Sequence, residues 1–239
     1  MAEQEVQDEI VEQEPREELD PEVAERRRLA LAHVRQYGDP VLRSEARPVT
    51  EFDDALRAEI AQMGSLMTDA MGIGLAATQV GMLRRLLVYR VEHDSPVNAL
   101  VNPVIEWSGS EKESMEEGCL SLPGVIVDVE RPVRVRVLAR DGRGEELVVE
   151  ASGLEARVIQ HEIDHLDGVL ILDRISREAR KEAMRAMREA AEGEQHHVGR
   201  ERGDSANGAR PGGDGPAAAP AADAPAPAAD APAADTSAA

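Results

Sequence analysis

Two histidines, His161 and His165, stand four positions apart in the run His161-Glu162-Ile163-Asp164-His165, and no other run restricts the fold as much. On an α-helix, residues i and i+4 lie one above the other, so both imidazoles project from a single face. Leu154, Val158, Ile159, Ile163 and Leu166 form an apolar stripe beside that face, which predicts a core-packed helix over about 153–166. Ser152 is its expected N-cap and Gly168 its stop. Two imidazoles pressed against a core need partners. One metal ion satisfies both, with Glu162 beside it to handle the proton of a water molecule.

The remaining pattern alternates between helical and extended periods. Phe52, Leu56, Ile60, Met63, Leu66, Met67 and Ala70 recur at steps of three and four behind Thr50, which predicts an amphipathic helix over 51–70 capped by that threonine. Gly72-Ile73-Gly74-Leu75-Ala76-Ala77-Thr78-Gln79 follows, where two glycines one residue apart mark a sharp, closely approached backbone. Residues 84–91 and 97–105 read as strands, the second placed at an edge or a strand start by Pro103. Residues 125–138 alternate around Arg131-Pro132, and Asp141-Gly142 turns the chain into 145–150. No helix-length connection separates these strands, so antiparallel pairing is expected. A last helix is expected from near Ser176 to about Ala191, stopped by Gly193. The fold class is therefore α+β: short antiparallel sheets around the central helix bearing the two histidines, with an amphipathic helix before them and a C-terminal helix after.

Charge divides the 239 residues into three parts. Residues 1–25 hold eleven Asp and Glu against the single basic Arg16, the composition of a disordered acidic arm. Residues 194–239 degenerate into an Ala/Pro/Gly/Asp-rich tail with nothing to bury. The stretch 26–193 is long enough for one catalytic domain, and with so few aromatics its core must be aliphatic. Its acidic balance argues against direct DNA binding, which needs a basic footprint. No signal-like segment or run of eighteen apolar residues occurs, so a cytoplasmic protein without membrane insertion is expected. Cys119 is the only cysteine, which excludes an internal disulfide and frees the thiol for other work.

Two imidazoles and one carboxylate leave the metal short of a third ligand. The extended form H-E-x-x-H-x-x-G-x-x-H finds Gly168 at the right step but meets Ile171 where its last histidine belongs. A glutamate from a following helix would be Glu178 or Glu182, both in a strongly charged run of solvated character. Cys119 is the other offer, within Glu117-Gly118-Cys119-Leu120-Ser121. A thiolate with two imidazoles leaves a fourth tetrahedral position open, as catalysis requires. Gly72-x-Gly74-x-x-Ala77 loosely fits a dinucleotide fingerprint, but it follows a helix and precedes a strand, the reverse of what that fingerprint needs. Such a loop is better suited to bring backbone amides and the side chain of Gln79 against a substrate carbonyl.

With the segments 72–79, 117–121 and 160–165 taken together and in this order, the chain resembles the polypeptide deformylases over about residues 33–190. The resemblance implies a metallohydrolase that removes the N-formyl group from the N-terminal methionine of newly made polypeptides and releases formate. It implies Cys119, His161 and His165 as metal ligands, Glu162 as acid/base, and Gln79 with the backbone N–H of Leu120 as oxyanion donors. Gly74 would pair with an extended peptide, and Ile73, Met115 and Leu154 would line the methionine pocket. Glu117 and Arg131 would pair as support behind the ligands. One divalent ion per chain is implied, Fe2+ as the expected cellular ion with Zn2+, Ni2+ or Co2+ also accepted. Ile126 and Arg157 depart from the family pattern: some relatives carry an arginine at the first position, and relatives often carry an aliphatic pocket residue at the second. The helix holding Arg177, Arg180, Lys181, Arg185 and Arg188 is either a ribosome-docking element, as in some relatives, or a solvated face backed by Ala183, Met184 and Met187.

Overall fold

Helix α3, Gly153–Leu166, is the axis around which the computed structural model arranges the rest, over its described residues 19–189. Ile159, Ile163 and Leu166 face a cluster built from Leu87, Leu100, Val135, Val137 and Ala151, the inner side of a five-stranded antiparallel sheet. That sheet has the order β1 (Gly74–Ala76), β2 (Leu86–Tyr89), β3 (Asn98–Ser108), β6 (Arg134–Arg140), β7 (Glu146–Ser152). The remaining strands, β4 (Lys112–Cys119) and β5 (Leu122–Pro132), form a separate antiparallel hairpin.

All four residues of β2 are buried because helices cover both of its faces. Leu87 and Tyr89 point to α3, whereas Leu86 and Val88 point to Met63 and Met67 of helix α2, Asp54–Asp69. A third cluster seats Leu122, Val125 and Val129 of β5 against Ile171, Leu172 and Ala183. Ala183 belongs to α4, the helical run 177–189, which therefore has a buried side as well as its charged one. Tyr89 is the one aromatic among the described core residues, so the core is indeed aliphatic.

Several local expectations need correction. Helix α2 starts after Asp53, whose carboxylate accepts from the Leu56 N–H at 3.0 Å, rather than after Thr50. A carboxylate satisfies an orphan N–H and opposes the helix dipole, and the chain turns helical directly behind it. Ser152 occupies the N-cap position of α3 without a side-chain cap bond. Leu154, counted in the apolar stripe, is 46% exposed. β3 is a central strand despite Pro103, because Asn102 takes a left-handed φ of 55° and opens a bulge between Val101 and Val104. The Asn102 side chain ties that bulge to Val49, accepting from its N–H at 2.8 Å and donating to its carbonyl at 2.9 Å. Helix α1, Pro21–Leu31, begins inside the segment read as an acidic arm, since Asp20 caps it and Pro21 fits its first turn. Residues 1–18 of that arm, the expected end of the last helix at Ala191 and Gly193, and the tail from 194 lie outside the described residues.

Candidate metal centre and active site

The hairpin brings Cys119, at the end of β4, onto the histidine face of α3. Its Sγ lies 3.2 Å from His165 Nε2, and the ligand atoms of Cys119, His161 and His165 all fall within 4.8 Å of one another. The two rings meet edge-on, with centroids 5.0 Å apart. Glu178 and Glu182, the other candidate ligands, are exposed on α4 and take no part.

A carboxylate behind the cluster orients one ring. Glu117 is 6% exposed, and its Oε2 lies 3.0 Å from His161 Nδ1, which leaves Nε2 of that ring for the cluster. Arg131 grips the same carboxylate at both ends, with Nε to Oε1 at 2.6 Å and Nη2 to Oε2 at 2.9 Å. Burial raises the Glu117 pKa, but the bonds from His161 and Arg131 outweigh it and bring it down to about 2. His165 is held well below the ordinary imidazole value by burial and by the charge of His161. Burial also depresses His161, but the contacts with Cys119 and Glu117 reverse that and raise it well above. A neutral imidazole, an oriented imidazole and a thiol converging in a buried corner are a donor set that fits a divalent transition-type cation.

Glu162 stands on the other flank of its helix, 4% exposed, with Oε2 lacking any hydrogen-bond partner. Burial lifts its pKa to about 7, offset in part by the charges of His161 and Arg131. It packs so closely on β1 that a Cβ at Gly74 would come 2.3 Å from Oε1. Gly74 therefore owes its identity to the approach of this carboxylate, its φ lying outside the positive region.

Gln79 is buried in a 3-10 turn at Ala77–Val80 that follows β1. Its Oε1 accepts from the Ala76 N–H at 2.8 Å, which turns Nε2 toward the Ser121 hydroxyl at 3.3 Å and Cys119 Sγ at 3.8 Å. Leu120 and Ser121 form the two-residue connection between β4 and β5, directly beside the cysteine. Ile73 just before β1, Met115 on β4 and Leu154 on α3 are 44%, 37% and 46% exposed. Ile126 is 67% exposed on β5 opposite Gly118.

Sequence reasoning did not find Asp164 or Arg174. Asp164, inside the five-residue motif, is buried and accepts from Arg131 Nη1 at 2.8 Å and from both the Nε and Nη2 of Arg174. Arg157, at a position where relatives often carry an aliphatic pocket residue, is 6% exposed and turns its guanidinium to Glu117 and the Val129 carbonyl. An acidic residue between two metal-poised histidines was the one signal available.

An α+β fold with a sulfur–nitrogen–nitrogen donor set and a buried carboxylate beside it defines a metal-dependent hydrolase. The polypeptide deformylase family model matches residues 31–181, and the chain belongs to that family. A peptide deformylase of Acidothermus cellulolyticus is 48% identical over 162 residues, spanning 68% of this chain and 88% of that protein. One from Thermotoga neapolitana is 50% identical over 145 residues, 61% of this chain and 87% of the relative. Among solved structures, a peptide deformylase from Synechococcus elongatus in complex with actinonin shares 46% identity at a TM-score of 0.61, covering 63% of this chain and 84% of that one. The Legionella pneumophila enzyme shares 37% identity at a TM-score of 0.65, covering 68% and 96%. The activity is hydrolytic removal of the N-formyl group from nascent polypeptides.

Proposed function

We propose that Cys119, His161 and His165 hold one divalent ion, Fe2+ in the cell, and that Glu162, Gln79 and Leu120 carry out the hydrolysis beside it. The observation behind this reading is the convergence of the three ligand atoms within 4.8 Å, next to a buried carboxylate that has an unpartnered oxygen. When bound, such a cation supplies Lewis acidity and lowers the pKa of water to roughly 7. Glu162, with a pKa of about 7, can take a proton at neutral pH and return it to the departing amine. The Gln79 Nε2 and the Leu120 N–H donate to the oxyanion that develops on the formyl oxygen. Ser121 and the Ala76 N–H hold the Gln79 amide in that orientation.

The peptide adds to the sheet at β1, an edge strand among the described residues. The Ile73 carbonyl accepts from the Arg90 N–H on the β2 side, and the Ala76 N–H points away to Gln79. By strand alternation, the N–H and C=O of Gly74 then lie on the open edge. Ile73, Met115 and Leu154, all partly exposed, line the methionine pocket, and the bare surface at Ile126 leaves the peptide beyond its first residue less tightly specified.

Formate release from formyl-Met-Ala-Ser under anaerobic conditions, followed with and without chelator, tests the reading. Cys119→Ala abolishes both bound metal and formate release; a variant that still cleaves peptides, or that cuts internal bonds, would instead mark an endopeptidase. Metal analysis after anaerobic purification identifies the ion. We place the enzyme in the cytoplasm, where nascent chains emerge; no helix among the described residues is long and apolar enough to cross a membrane. Ribosome docking through α4 calls for charge reversal at the exposed Arg177, Lys181 and Arg188, because deleting the helix would also remove Ala183 from the core. Unchanged co-sedimentation of the triple-reversal variant with ribosomes counts against docking.

A further inference from the structure

Arg157 is a deeply buried charge that the reaction does not use. It sits one turn before His161 on the histidine face of α3, and its side chain is 7% exposed. Removing a guanidinium from water costs several kcal/mol unless its donors are met. Three acceptors face its terminal nitrogens: Nη1 donates to Glu117 Oε1 at 2.7 Å and to the Val129 carbonyl at 2.8 Å, and Nη2 donates to the Glu113 carbonyl at 2.8 Å. All three acceptors belong to the β4–β5 hairpin, Glu113 and Glu117 on β4 and Val129 on β5.

The location of those acceptors gives the side chain its consequence. Two metal ligands are on α3 and the third, Cys119, is at the end of β4, so the site exists only while hairpin and helix keep one relative position. Other polar links across that junction are His161–Glu117, Arg131–Asp164 and the bond from Gln160 to the Pro132 carbonyl at 3.0 Å. Two of those links involve groups of the ligand network itself. Arg157 alone reaches both strands of the hairpin from the helix, and it shares Glu117 Oε1 with Arg131 Nε, while Arg131 Nη2 and the His161 ring share Oε2.

We propose that Arg157 is a positioning residue that clamps the cysteine-bearing hairpin to the histidine-bearing helix and so preforms the three-ligand site. The inference rests on the assignment of Cys119, His161 and His165 as ligands. An apolar side chain at this position fills the same space but takes the guanidinium donor from the buried Val129 carbonyl and the part-buried Glu113 carbonyl, and leaves Glu117 Oε1 to Arg131 alone. Carbonyl-directed clamping also explains why an arginine is suited here and a lysine is not: one ammonium cannot reach acceptors on two strands and a carboxylate in the planar geometry of a guanidinium.

The test compares metal-loaded wild type, Arg157→Met and Arg157→Lys well below their melting temperatures. The readouts are the rate of metal transfer to excess chelator and the thiolate-to-metal absorption of the Co2+-substituted proteins. The clamp predicts 10–100-fold faster release in Arg157→Met, in the range typical when groups behind metal ligands are lost. Its Co2+ spectrum is altered, and kcat falls while KM for formyl-Met-Ala-Ser stays within about threefold. Arg157→Lys keeps charge and solubility yet releases metal several-fold faster than wild type. Wild-type release and spectra in Arg157→Lys overturn the proposal even if Arg157→Met fails to fold, and so does a variant that loses only melting temperature. If wild type itself retains no metal, the ligand assignment fails; if wild type retains it and both variants match, only the clamp fails.

Discussion

Gly74→Ala asks whether the Glu162 carboxylate, the proposed acid/base, is held in place by the sheet edge. A Cβ at this position would stand 2.3 Å from Glu162 Oε1 and 2.9 Å from its Cδ and Cγ, where ordinary contact begins at 3.4 Å. The carboxylate must retreat by roughly 1 Å, the difference between the first and last of those distances. It is the end of a flexible side chain, so the fold absorbs the change. The chemistry does not: a displacement of about 1 Å at a reacting group can cost on the order of 100-fold in rate, which is about 2.7 kcal/mol of barrier. Formate release from formyl-Met-Ala-Ser with saturating metal should show kcat down about 100-fold and KM within about threefold. A thermal melt should move by only a few degrees, about the effect of 1 kcal/mol. Gly109→Ala is the control, since its Cβ would meet nothing closer than 3.4 Å. If Gly74→Ala keeps kcat within about threefold of wild type, the contact does not position Glu162. If the whole loss falls on KM, Gly74 acts only as a wall for the peptide.

Two further predictions concern stability. Asn102→Ala removes two hydrogen bonds to Val49 and puts a Cβ-bearing residue without a polar tip at φ 55°; urea unfolding should show a loss of about 2–4 kcal/mol. Asn102→Gly, relieved of the backbone strain, should lose about 1 kcal/mol less. Burial pushes the Asp173 carboxyl up, but the Arg43 guanidinium and the Leu170 N–H outweigh it and leave the group below its usual 3.8. A depressed carboxylate contributes stability that is present above pH 3.8 and fades as pH falls below it. Asp173→Asn should therefore lose stability at neutral pH and show a shallower decline on the acid side in a pH series of melts.

How much of this was legible depended on whether a pattern was local. Helix α3 could be bounded to the residue because its apolar spacing, Ser152 and Gly168 all speak within one segment. The buried-exposed alternation of β6 was equally plain, running e-B-e-B-e-B-e from Arg134 to Arg140. Strand β4 was invisible. Lys112 to Glu116 are exposed on the hairpin, so no apolar period marks a strand, and only pairing with β5 makes one. Helix α1 escaped notice for the same reason, with Ala30 its one buried residue. Pro103 misled because the bulge that admits it depends on Val49, 53 positions from Asn102.

The candidate site divides along the same line. Cys119, His161 and His165 sit in short motifs, and the pairing of Glu117 with Arg131 was implied by the resemblance to the deformylases. Arg157 gave no such hint, because an arginine on a helix reads as a solvated charge until acceptors arrive from elsewhere. Its acceptors, Glu113, Glu117 and Val129, lie 28 to 44 residues away and converge only when the hairpin closes on α3. Asp164 shows the consequence from the other side. It lies between the two histidines in sequence, yet it faces away from them to join Arg131 and Arg174, while Glu117, 44 residues upstream, sits behind the His161 ring. The spacing of a motif thus specifies which atoms can meet a metal, and buried ion pairs between distant segments specify where those atoms are held. A substitution at Arg131 or Arg157 would therefore loosen the proposed centre while leaving every motif intact.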